Sequence, residues 1–179
     1  MPFSQGGILI ISLLMLCTLG SAREISSHER SRGTKLNDRD IVRIVERSFK
    51  RDKNSDDFKR SNVFSFNQIV LLTGQVASEA ASKNAARFAA KIPLVRKVHN
   101  FLEISGATTS ISRISDRLVR SRARRAVRKL DIRGETEVIV TNGRIYLLGL
   151  LTREEAAEVN KTVRAVKGAT HVVALYEYL

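Results

Sequence analysis

The sequence predicts an α+β protein made of one unit used twice in tandem, each copy running helix, strand, strand, helix, strand. Three observations carry that expectation. An Asp followed by apolar residues at helical spacing occurs twice, as Asp38, Ile41, Val45, Phe49 and as Asp116, Val119, Ala123, Val127. Each set is followed by two short apolar runs around a turn, "NVFSFNQIVLLTG" at 62–74 and "EVIVTNGRIYLLG" at 137–149, both leaving the turn as V/I-x-L-x-G. Each copy then adds a second helical pattern and a closing apolar strand. The chain of 179 residues has room for two such small domains.

The first 22 residues contain no charged side chain. Their apolar stretch, residues 8–16, is too short to cross a bilayer as a helix and fits the hydrophobic region of an export signal. Gly20 and Ala22 supply small residues at the −3 and −1 positions of a cleavage site. Cys17, the one cysteine, stands directly after the apolar run, where a bacterial lipoprotein carries its acylated cysteine. Leu14 fits a lipobox; Leu16 departs from the small residue expected there. Two outcomes stay open: lipidation of Cys17 and anchoring, or cleavage after Ala22 and loss of the cysteine. Neither allows an intramolecular disulfide. Residues 23–37 are polar and aperiodic and read as a flexible tether.

The first unit is expected at 38–104, a linker at 105–113, and the second unit at 114–179. In each unit the leading Asp is expected to cap the first helix and meet its dipole. Asn142-Gly143 is a strong hairpin signal because both residues tolerate positive φ; Asn67-Gln68 stands at the matching place as a weaker turn. The second helices, "SEAASKNAARFAAKI" and "REEAAEVNKTVRAVK", place Glu79 and Glu154 in their first turns. Ala81, Ala85, Phe88, Ala89 and Ile92 form the core stripe of one; Ala156, Val159, Val163 and Val166 form that of the other. The closing strands are "VRKVHNFLEI" and "THVVALYEYL". Units this small have thin cores, so packing of one copy on the other would help both.

The net charge is +13, from 31 Lys and Arg against 18 Asp and Glu. Such an excess favours polyanionic partners. It is densest in "SDRLVRSRARRAVRKL" at 115–130, with seven basic residues and one acidic. At about 100° per residue, Ser115, Val119, Ala123, Ala126, Val127 and Leu130 share a core face. Arg113, Arg117, Arg120, Arg124 and Arg128 share a second, and Ile111, Ile114 and Leu118 make an apolar stripe off the core face. An apolar strip beside an arginine row is the make-up of a helix lying on an anionic membrane. The plainer readings are a solvated arginine face, and a stripe that packs on the first unit.

The repeated order, the leading Asp, the V/I-x-L-x-G hairpin exit and the closing V-x-x-V strand resemble the BON domain. Two in tandem behind an export signal resemble the dual-BON envelope proteins of Gram-negative bacteria. These include the division- and outer-membrane stress-associated lipid-binding lipoproteins and the osmotically induced periplasmic proteins. The resemblance spans residues 38–179. It implies a three-stranded sheet backed by two helices per unit, no catalysis, and binding of anionic phospholipid through the first helix of the second unit. The candidate lipid-binding residues are then Arg113, Ile114, Arg117, Leu118, Arg120, Arg124, Arg125 and Arg128, with Cys17 the candidate lipidation site. Gly168 fits the glycine that many BON units carry before their last strand; Leu94 replaces it in the first copy.

No enzyme constellation is present. His28, His99 and His171 have no ligand spacing, Glu154-Glu155 reads as a helix start, and there is no glycine-rich phosphate loop. No cofactor or metal is expected. Nucleic acid is not an expected partner, since the basic helix lacks interleaved aromatics and the export signal removes the chain from the cytoplasm. The expected role is a non-catalytic, exported protein of the periplasm, held at the outer membrane if Cys17 is lipidated, that supports membrane integrity. The alternative is a periplasmic adaptor holding an acidic protein partner on the same surface.

Overall fold

The computed structural model describes residues 29–104 and 110–179, and the side chains of the second stretch from Ser115 onward. The first unit comprises α1 (Arg32–Arg51), β1 (Arg60–Phe66), β2 (Ile69–Val76), α2 (Glu79–Ala90) and β3 (Lys97–Ile104). The second comprises α3 (Ser110–Val127), β4 (Glu135–Thr141), β5 (Arg144–Leu151), α4 (Arg153–Arg164) and β6 (His171–Tyr178). Each sheet has three strands, with β2 or β5 in the middle. The central strand pairs antiparallel with its hairpin partner and parallel with the closing strand. The parallel pairing requires a crossover, and the second helix of each unit supplies it.

Periodicity explains the packing. Ile41, Val45 and Phe49 of α1 are buried with Ala81, Ala85 and Ala89 of α2 over Val70 and Leu72. Val119, Ala123 and Val127 are buried with Ala156, Val159 and Val163 over Ile145 and Leu147. The two helices of a unit thus cover one face of its sheet. The first unit alone adds a 3₁₀ turn at Ser55–Phe58, which stacks Phe58 on Phe49 with ring centres 4.6 Å apart.

The other faces of the two sheets cover each other. Phe66, Leu71, Ile139, Tyr146 and Leu148 form a third core, flanked by Phe101, Val173 and Leu175. All eight residues of β2 are buried, as a strand covered on both faces demands. Burying an aliphatic or aromatic side chain contributes about 1.5–3 kcal/mol, against about 0–1 kcal/mol for an exposed ion pair. Apolar contact therefore joins the halves, and polar contacts set its register. Thr73 and Thr141 meet at 3.2 Å within it.

Both hairpins turn through positive φ, Asn67 at 51° with Gln68 at 64°, and Asn142 at 52° with Gly143 at 74°. Ser78 caps α2, and Thr152 with Glu155 forms a capping box on α4. The first helices begin earlier than expected. Ser31 caps α1 through the backbone of Thr34, so residues 32–37 are helical, not tether, and α3 already starts at Ser110. Asp38 and Asp116 therefore lie inside helices and cap nothing. Ser115 is exposed, and the partly buried residue beside it is Asp116.

Candidate functional site

Asp116 fixes the start of the site. Its carboxylate accepts from the backbone N–H groups of Asn142 and Gly143, both at 2.8 Å, and so locks α3 to the hairpin turn. Asp38 does the same in the first unit, accepting from Asn67 and Gln68 at 2.9 and 2.7 Å and from the Ser65 hydroxyl at 2.7 Å. A carboxylate that receives several N–H donors cannot be exchanged for an uncharged group without stranding them. This is why both units place an Asp there.

From that lock α3 runs with Val119, Ala123 and Val127 inward, and its basic residues divide into two flanks. Arg117 and Arg120 face the start of β1, where Lys59, Arg60 and Asn62 line the opposite wall of a cleft of about 350 Å³. Arg124, on the same flank, forms an ion pair with Glu137 of β4. On the other flank Arg122 donates to the Lys167 carbonyl at 3.3 Å, next to the turn that carries Gly168. Leu118 lies on this second flank and is 52% exposed. Arg125 and Arg128 are exposed between the flanks.

Sequence reasoning put Arg113, Arg117, Arg120, Arg124 and Arg128 on one helix face; the structure places Arg117, Arg120 and Arg124 on the flank beside the strands and leaves Arg128 exposed between the flanks. It missed that Glu137 takes up Arg124 and that Lys59 and Arg60 of the first unit stand across from Arg117 and Arg120. Those neighbours come from other strands, beyond the reach of helical spacing. Leu118 is half-exposed, and the first-unit residues that line the cleft stand beside Arg117 and Arg120. Cys17 and His28 lie outside the described residues, as do the side chains of Ile111, Arg113 and Ile114.

The halves are also tied near the start of α1. Arg30 donates to Asp38 and to Glu135, each at 2.7 Å, with its guanidinium 3.7 Å from the centre of the Phe66 ring. Lys35 reaches Glu135 at 2.6 Å. Burial alone would push the Glu135 carboxyl up, but the hydrogen bonds and charges of Lys35 and Arg30 outweigh it and hold the group below the usual carboxylate range. Glu135, followed by Glu29, raises Lys35 in turn.

Elsewhere burial lowers His99, helped by Lys97, and burial pushes the Tyr176 phenol well above its ordinary value. His99 stacks near Phe101, with ring centres 6.4 Å apart. Among the described residues no group of His, Cys, Asp and Glu is placed to hold a metal ion, and no helix is long and apolar enough to cross a membrane.

A doubled helix-backed three-stranded sheet, joined face to face, defines a class. The BON domain model matches residues 37–106 and 113–178, and this chain belongs to the BON domain family, with two domains in tandem. It is similar to the outer membrane lipoprotein DolP of Haemophilus influenzae, at 26% identity over 88% of this chain and 83% of that protein. It is also similar to a 21 kDa hemolysin of Actinobacillus pleuropneumoniae, at 27% identity over 84% of this chain and 78% of that protein. A structure of CdsD, a structural protein of the type III secretion system of Chlamydia trachomatis, aligns with 78% of this chain and 92% of that one. Its identity is 10% and its TM-score 0.32, too loose a likeness to carry an argument.

Proposed function

We propose that this protein is a non-catalytic component of the cell envelope that binds anionic phospholipid through the outer surface of α3 and supports outer-membrane integrity. The observation that carries the reading is Leu118, 52% exposed on a helix whose core face is already filled, together with Arg117, Arg125 and Arg128, exposed elsewhere along the same helix. Among the described residues none pairs with those three guanidinium groups. A helix surface that exposes an apolar side chain and carries unpaired cations along its length is suited to an interface that is apolar below and anionic above.

Each cation near an anionic surface contributes about 1 kcal/mol, so these three give about 3 kcal/mol before Leu118 is counted. That is the strength of a reversible peripheral attachment. The family supports the reading, as does the outer-membrane name of a relative that aligns over most of the chain. Arginine stems lying along acyl chains would place the guanidinium groups at phosphate depth. An acylated Cys17 would add a firmer anchor to the same membrane; release after Ala22 would leave α3 as the attachment. The mass of the mature N-terminus distinguishes the two.

Co-sedimentation with phosphatidylglycerol and phosphatidylcholine vesicles tests the proposal. The protein is expected to pellet with the anionic vesicles alone, and a variant with Arg117, Arg125 and Arg128 changed to Glu to stay in solution. No pelleting by the unaltered protein would overturn lipid binding and leave the surface to an acidic protein partner or to solvent.

A further inference from the structure

The cleft between the units carries an inference that deepens the lipid-binding reading and rests on it for the source of its ligand. Lys59 and Arg60 stand on the first unit's wall, Arg117 and Arg120 on the second's, around a space of about 350 Å³. The carboxylate in that wall, Asp116, is committed to the N–H groups of Asn142 and Gly143. Lys59 has Asp56 at 2.9 Å, an exposed pair three residues apart that holds it weakly. Among the described residues none pairs with Arg60, Arg117 or Arg120. Converging like charges repel unless an anion sits among them, and guanidinium forks match phosphate oxygens in shape as well as sign.

The backbone is shaped to hold this arrangement. Gly74, in β2 opposite Ser61, also lines the cleft with φ at +99°, and a Cβ there would stand 2.2 Å from the Arg60 carbonyl oxygen. The missing side chain lets the start of β1 lie close enough to present Arg60 to α3. We propose that this cleft is a phosphodiester-binding site shared by the two units, sized for a lipid headgroup rather than an acyl chain. Its cations come from both halves. The first unit therefore takes part in recognition, not only in support.

The test titrates the purified protein with glycerophosphoglycerol and with inorganic phosphate, following backbone amide resonances, and runs vesicle co-sedimentation beside it. Saturable shifts at Arg60, Arg117 and Arg120, weakened about tenfold or more in Lys59→Gln/Arg60→Gln, would establish the site. Tighter binding of glycerophosphoglycerol would make a lipid headgroup the ligand; equal binding of inorganic phosphate would make it a free phosphate. Arg125→Gln/Arg128→Gln should weaken vesicle binding and leave the soluble headgroup titration unchanged. Vesicle binding with no titratable shift in the cleft, or with Lys59→Gln/Arg60→Gln binding as the unaltered protein does, would overturn the shared site while leaving the membrane surface intact. Headgroup binding without vesicle binding would keep the site and overturn the membrane surface.

Discussion

The side-chain amide of Asn67 donates to the Glu177 carboxylate at 2.6 Å, tying the hairpin turn of the first unit to the closing strand of the second. Asn142 and Glu103 repeat the contact in the opposite sense at 3.3 Å. Arg96 joins Glu177 at 2.7 Å and Arg144 joins Glu103 at 3.2 Å. The halves therefore meet as near-equivalents, each giving its turn to the other's last strand.

Glu177→Gln should weaken this tie from both donors. A charge-assisted hydrogen bond contributes about 1.5–3 kcal/mol, reduced here by the exposure of Arg96, so a loss of about 1 kcal/mol is expected. Urea unfolding followed by fluorescence of the tyrosines and by far-ultraviolet dichroism should stay a single coincident transition. Separate transitions for the two signals would mean that the shared core does not couple the units.

Asp38→Ala should cost more than Asp116→Ala. Both strand two turn N–H groups, but Asp38 is buried, also accepts from Ser65 and balances Arg30. Losses of about 3–4 kcal/mol and about 1–3 kcal/mol follow, measured by chemical denaturation. The reverse order would show that Arg30 and Ser65 add nothing to the lock.

Acid should act through Glu135. Its folded value lies below the ordinary carboxylate value of about 4.3, so between the two values the unfolded chain binds the extra proton. Stability from this group is complete above about pH 4.3 and lost as pH falls through the folded value. Glu135→Gln should flatten that limb. His99, also lowered, acts earlier: its contribution is full above about pH 6.5 and declines as pH falls from there through its folded value. His99→Gln should remove the slope that begins near neutrality, read from denaturation midpoints between about pH 7 and pH 5.

Two glycines with positive φ should respond differently to substitution. Gly74→Ala forces a Cβ to within 2.2 Å of the Arg60 carbonyl oxygen in strained backbone, and should lose about 2 kcal/mol or more. Gly143 has only the Thr170 hydroxyl at 3.8 Å, and Asn tolerates its left-handed backbone, so Gly143→Asn should cost under about 1 kcal/mol. Thermal midpoints of the two variants check the contrast.

Element order, both hairpins and the helix-facing cores were legible in the sequence because they rest on periodicity within single elements. The join between the sheets was half legible. "IVLL" and "IYLLGLL" are continuous apolar runs, which signal burial on both faces without saying what covers the second. Asp38 and Asp116 misled because an Asp before an apolar stripe is the usual mark of a helix start, and Gly33 gave no hint that α1 had already begun. At the site, helical spacing placed the arginine row but could not find Glu137, Lys59 or Arg60. Those belong to strands, whose approach to α3 depends on how the two halves pack.

The face-to-face join also decides what can be cut out of this chain. Phe66, Leu71 and Phe101 on one side, and Ile139, Tyr146 and Leu148 on the other, leave water only because the halves meet. An excised half would carry a bare apolar sheet face into solution, where it would bind a second copy of itself or aggregate. Neither half is a portable module, and the smallest transplantable piece of this protein is the pair.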